Sequence, residues 1–156
     1  MKGKKPVKPV VMLLFLLLIS VFFASSSYRA KECAKMGVCL ANLKQLGSGC
    51  SVYADNFGGV FPPSLSLLYP DYVNSLDTFI CPSRKPKVTE ADVRNDFTVC
   101  YEYVSGLTKK DDLECLLLYD REGNHRIGHH KGDRNVVFIG GNARMVKKTD
   151  WQEVSR

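Results

Sequence analysis

Residues 28–59 read YRAKECAKMGVCLANLKQLGSGCSVYADNFGG, and the fold class turns on whether this stretch is helix or loop. Met36, Cys39, Leu43, Leu46, Cys50, Tyr53 and Phe57 recur at alternating spacings of three and four, which draws one apolar stripe along an α-helix. Lys35, Asn42, Lys44 and Gln45 fall on other faces. Gly47 and Gly49 weaken the middle and allow a kink, and Gly58-Gly59 ends the helix as a C-cap would. The pattern predicts an amphipathic helix over about 29–57.

Upstream, Lys2, Lys4, Lys5 and Lys8 precede an apolar run from Val10 to Ala24 and then three serines. This is the layout of a signal peptide cleaved after Ser26, or of an uncleaved transmembrane anchor. The run itself rises only about 22 Å as a helix, so retention would draw on its flanks to cross a hydrocarbon core of about 30 Å. Either way the lysines stay cytoplasmic and the remainder is exported. The net charge of +6 belongs to this leader: with its four lysines set aside, 18 basic residues face 16 acidic ones. A basic face for nucleic acid is therefore not expected. The division expected is 1–27 as leader and anchor or signal peptide, and 28–156 as an extracytoplasmic domain.

Downstream, Pro62 and Pro63 break the helix, and residues 83–96 are charged and loop-like. Phe97–Gly106 and Leu113–Asp120 alternate as strands. NVVFI, a Gly140-Gly141 type I′ turn and NARMVKK read as a closing hairpin. One long helix followed by several antiparallel strands over 58–148 predicts an α+β fold, the helix packed on a small sheet.

Six cysteines (Cys33, Cys39, Cys50, Cys81, Cys100 and Cys115) suit disulfides in an exported domain, and none has the CxxC spacing. Along a helix, Cys33, Cys39 and Cys50 lie too far apart to pair with one another. Full oxidation would join each of them to one of Cys81, Cys100 and Cys115, in any of six connectivities.

The loop before the hairpin carries the candidates for metal chemistry. His125, His129, His130 and Asp133, with Asp120, offer imidazole and carboxylate ligands, but their spacings match no zincin pattern. A calcium site would use Asp120, Asn124, Asp133 and backbone carbonyls. The reading adopted is a solvated approach to a hairpin, with no catalytic residues and no cofactor.

The segment CLANLKQLGSGCSVYADNFGGVFPP is similar to the one following the hydrophobic helix in bacterial pilin-like and type II secretion pseudopilin-like proteins. The matching positions are Cys39, Asn42, Leu43, Lys44, Gln45, Leu46, Gly47, Tyr53, Ala54, Asp55, Gly59, Phe61 and Pro62. TFICPS, with Cys81 and Pro82, resembles that group's F-x-CP element. His130, nine residues and Gly140-Gly141 resemble its closing histidine, nine residues and Asp-Gly. Two departures stand out: the prepilin-peptidase motif with its glutamate is missing, and Gly140 replaces the aspartate. The resemblance implies a non-catalytic, single-pass envelope protein, a structural or accessory subunit of a pilus-like or secretion assembly. Its partners would be the cytoplasmic membrane and other pilin-like subunits, through the N-terminal helix. The alternatives are a secreted metal-dependent enzyme using the His125–Asp133 loop and a cleaved periplasmic binding module.

Overall fold

A computed structural model describes residues 9–84, 89–94, 100–125 and 131–155. The chain divides into two compact units, one ending at Lys31 and one spanning Glu32–Arg156. Helix α1 (Pro9–Asn56) supplies the described part of the first and the opening element of the second. In the first unit Val10–Leu18 and Val21–Phe23 are exposed apolar side chains, with only Ile19 partly covered. The serines continue the helix rather than ending it. Ser20, Ser25 and Ser27 donate their hydroxyls to the carbonyls of Leu17, Val21 and Phe23.

The second unit is an α+β fold. Strands β1 (Tyr101–Tyr103), β2 (Leu116–Asp120), β3 (Arg134–Phe138) and β4 (Ala143–Val146) form an antiparallel meander in the order of the chain. Short helices α2 (Glu90–Arg94) and α3 (Trp151–Val154) complete it. Tyr101 lies opposite Asp120, Tyr119 opposite Val136, and Val137 opposite Ala143. One sheet face meets α1 and the segment 61–81, in a core that includes Leu43, Leu46, Phe61, Leu65, Leu68, Phe79, Leu118 and Val137. The other face carries Val136, Phe138 and Val146, packed by Trp151 and Val154. Burial on both faces explains why Val136–Ile139 is an unbroken apolar run rather than an alternating one.

The helical stripe forms as the periodicity predicts from Met36 to Cys50, and Leu43, Leu46 and Cys50 are fully buried. Each such leucine contributes about 1.5–3 kcal/mol by leaving water. At the end the stripe moves over by one position. Ala54, four residues after Cys50, is buried, while Phe57 is exposed and stacks on Tyr53 with ring centroids 4.2 Å apart. The C-cap is a Schellman turn: Gly58 and Gly59 have φ of 64° and 87°, and Gly59 N–H donates to Ala54 C=O at 2.7 Å.

The closing hairpin differs from the expected type I′ turn. Gly141 N–H donates to Phe138 C=O, and of the two glycines only Gly141 has a positive φ, 81°. The connection is therefore Ile139-Gly140-Gly141, a three-residue loop with its glycine in the left-handed region. Gly140 is needed for space: a β-carbon there would lie 3.2 Å from the Leu113 carbonyl oxygen. The strand expected over Phe97–Gly106 is observed as Tyr101–Tyr103, with 95–99 outside the described residues.

Gly47 and Gly49 do not interrupt α1; they let it approach its neighbours. A β-carbon at Gly47 would lie 2.8 Å from Val137 Cγ1, and one at Gly49 3.0 Å from Val73 Cγ2. Val137 is buried and stiff at χ1, so it has little room to yield. Gly47→Ala should destabilise by about 1–3 kcal/mol despite its better helix propensity. Gly37→Ala, at a position with nothing within 4 Å, should stabilise by about 0.5–1 kcal/mol. Urea unfolding of both variants checks the pair, and a stabilised Gly47→Ala would refute the close approach.

Candidate functional site

The densest polar chemistry in the described structure lies inside the fold, where α1 meets the segment after Ser75 and the start of β3. Asn42 and Gln45, three residues apart, share one helical face. Asn42 Nδ2 donates to the carbonyls of Asp77 and Ile80 at 3.2 and 3.1 Å. Gln45 Oε1 accepts from the Thr78 hydroxyl at 3.1 Å. These contacts clamp TFICPS onto the helix and bring Cys81 over Cys39, one turn before Asn42. The two sulfurs are 3.0 Å apart and neither residue is exposed to solvent.

His125 closes this site from the turn after β2. Its Nδ1 lies 3.3 Å from Ser83 Oγ and its Nε2 3.2 Å from Asp120 Oδ2. The second is an ion-pair approach whose angle falls short of a hydrogen bond. Asp120 is anchored by other donors. Its Oδ1 accepts from Asn124 Nδ2 at 3.1 Å and its Oδ2 from the Asn135 backbone N–H at 3.0 Å. Asn135 Nδ2 in turn donates to the Met36 carbonyl of α1 at 3.1 Å, so the carboxylate is tied through one residue to the helix.

The thiols of the pair titrate in opposite directions. Cys81 is drawn down to about 7, chiefly because the Cys39 S–H donates to its sulfur, with the Ser83 N–H and His125 assisting against burial and Asp120. Cys39 is raised by that same contact and by burial. For His125, burial disfavours the charged ring. Contact with Asp120 and its charge, helped by Cys81 and Glu32, outweigh burial and leave the imidazole above its ordinary value. The result is a thiolate-leaning sulfur beside an imidazolium-leaning ring.

Of the metal candidates read from the sequence, Asp120, Asn124 and His125 come together here. Asp133 serves elsewhere, accepting the Lys148 backbone N–H on its Oδ1 at 3.1 Å. His129 and His130 lie outside the described residues. Among the described residues, Cys39, Cys81 and His125 are a group whose ligand atoms all fall within 4.8 Å of one another, the minimum for a thiophilic metal. Of the remaining cysteines, Cys33 is exposed, Cys115 is half-buried, and Cys50 and Cys100 are buried thiols raised by desolvation, Cys50 to about 12.

Asn135 had no sequence signal of its own, whereas Ser83 closes the TFICPS block. The signal for Asn42 and Gln45 was available in their i, i+3 spacing with Cys39. No known protein family, no curated protein and no solved structure matches the chain.

The buried Asp120–His125 pair makes a signed prediction. A folded-state pKa above the ordinary 6.5 means that the stability it adds is complete below that value and is lost as pH rises through the folded-state pKa. In NMR titration of the histidine ring protons, the signal abolished by His125→Gln should titrate above 6.5 in the parent protein. Asp120→Asn should move it down, and a signal unmoved by that change would dissociate the ring from the carboxylate.

Proposed function

We propose that this chain is a non-catalytic envelope protein, held in the cytoplasmic membrane by the N-terminal part of α1 with its Glu32–Arg156 unit exported. It would serve as a pilin-like subunit or accessory component of a pilus-like or type II secretion-like assembly. The observation that carries the reading is the first unit of α1. From Pro9 to Tyr28 no charged residue occurs, the segment is helical throughout, and its large apolar side chains are open on every side. That length rises about 30 Å, the thickness of a bilayer's hydrocarbon core. The back-bonded serines extend the span without presenting free hydroxyl donors to lipid. The lysine-rich leader orients it with the amino terminus inside.

The assembly role is supported by how the three resembling blocks relate in space. The NLKQ block supplies Asn42 and Gln45, which bind the backbone and Thr78 of the TFICPS block. Gly47 of the first block accommodates Val137 of the closing hairpin. Residues that look like scattered motifs in the sequence thus act as a single packing unit, as expected if the resemblance reflects a shared fold. The metal-dependent enzyme is the weaker reading, because Asp120 and His125 are at most 4% exposed and their polar atoms face partners within the fold.

Intact mass of the native protein from membrane and soluble fractions tests the anchor, and chemical cross-linking in cells tests the assembly. The expected result is the full-length 17.5 kDa chain in the membrane fraction, extracted by detergent but not by salt, with cross-linked adducts to further subunits. A soluble form beginning near Ser27 would replace the anchor with a cleaved periplasmic module. Monomer alone after cross-linking would remove the assembly role.

A further inference from the structure

We propose that Cys39 and Cys81 form a disulfide in the folded protein, the one bridge among six cysteines, while Cys33, Cys50, Cys100 and Cys115 remain thiols. Two parts of the chain separated by 42 positions are held so that these sulfurs meet at 3.0 Å, inside the contact distance of unbonded sulfur atoms. The approach is fixed from both sides. Cys39 sits within a long helix, and Ile80, just before Cys81, gives its carbonyl to Asn42 of that helix. Closing the bond brings the two sulfurs about 1 Å nearer, to about 2.05 Å.

A metal fits these residues less well. Tetrahedral zinc with bonds of about 2.3 Å holds two thiolates about 3.8 Å apart, wider than the separation here. His125, the third ligand available, has its two ring nitrogens turned to Ser83 Oγ and Asp120 Oδ2. Asp120 favours the protonated ring, and a protonated imidazole does not ligate.

Of the remaining cysteines, Cys100 lies near enough to Cys81 to feel its backbone N–H and its charge, but the 3.0 Å sulfur contact is made by Cys39. Cys50 lies eleven residues beyond Cys39, about 16 Å along the helix axis, and Cys33 about 9 Å before it. Cys33 is solvent-exposed, and burial suppresses ionisation at Cys50 and Cys100.

The bond forms by ordinary exchange with a disulfide-bearing oxidant such as oxidised glutathione or a dithiol oxidoreductase. Before the 79–83 segment closes on α1, the Cys81 thiolate attacks one oxidant sulfur and expels the other as a thiolate. The Cys39 thiol then gives up its proton and its sulfur attacks the Cys81 sulfur of the mixed disulfide, expelling the second thiolate. Two protein thiols lose two protons and two electrons, and the oxidant becomes two thiols. In the cell this rests on the exported placement proposed above, since that compartment supplies the oxidant.

The test is independent of that placement. The full-length chain, reduced and denatured, is folded into detergent micelles in an oxidising glutathione buffer, so that the oxidant is present before the 79–83 segment closes. It is denatured in acid, labelled with a maleimide and mapped by mass spectrometry without reduction. The expected result is a Cys39–Cys81 linked peptide, a gain of about 2 Da on reduction, and label on the other four cysteines. The variant Cys39→Ser/Cys81→Ser should carry four labels and gain no mass on reduction. Label on all six cysteines, a bridge between any other pair, or one zinc retained per chain with both thiols intact would overturn the proposal.

Discussion

A β-carbon on Gly47 would stand 2.8 Å from Val137, and one on Gly49 would stand 3.0 Å from Val73. The separation between α1 and what covers it is set by this missing atom pair. It brings the helix close enough to the sheet for Asn135 to reach the Met36 carbonyl, and close enough to the covering segment for Asn42 to reach two carbonyls there. Helix propensity opposes glycine at both positions by nearly 1 kcal/mol each. The buried contacts on either side of them, Leu43, Leu46, Cys50 and Leu68 among them, outweigh that local cost.

Close approach makes the polar interior both expensive and specific. Asp120 is fully buried, and a buried carboxylate is costly unless its oxygens are satisfied. Here its oxygens receive Asn124 Nδ2 and the Asn135 N–H and face the His125 ring. Those three partners come from the turn after β2 and from the facing strand, so the carboxylate is satisfied only in the β2–β3 register observed. A slip by one residue would take the Asn135 N–H away and turn the side chains of β3 to the opposite face. The pair is thus a register device as well as a charge pair.

The same reasoning shows which features were legible in the sequence. The helical stripe was, because a 3.6-residue period is a local property. Its last turn was not, because Ala54 and Phe57 differ only in what lies opposite them, and the Schellman turn at Gly58 releases Phe57 to solvent. The hairpin was legible and its phase was not. A glycine pair admits two turns, and the choice is made by Leu113, whose carbonyl needs the space beside Gly140. At the candidate site the residue types were visible but the grouping was not. His125 reads as a loop ligand beside other histidines, yet it turns inward to Ser83 and Asp120, and the helical cysteines left six full pairings open.

One helix carries two different hydrophobic patterns, and each is intelligible only with its own surroundings. From Val10 to Phe23 apolar side chains point all around the axis, which in water would expose a large continuous apolar surface. From Met36 to Ala54 the buried apolar side chains lie on one side, against the facing protein, while Val38 and Val52 are exposed. The change occurs across Arg29, Lys31, Glu32 and Lys35, the first charges after the leader. A membrane surface would place its charged boundary there, because a lipid-exposed segment excludes charge while a water-exposed helix needs a polar face. Sequence pattern and side-chain exposure therefore divide the helix at the same few residues. The first half is long and apolar enough to cross a membrane, and the second half packs against protein.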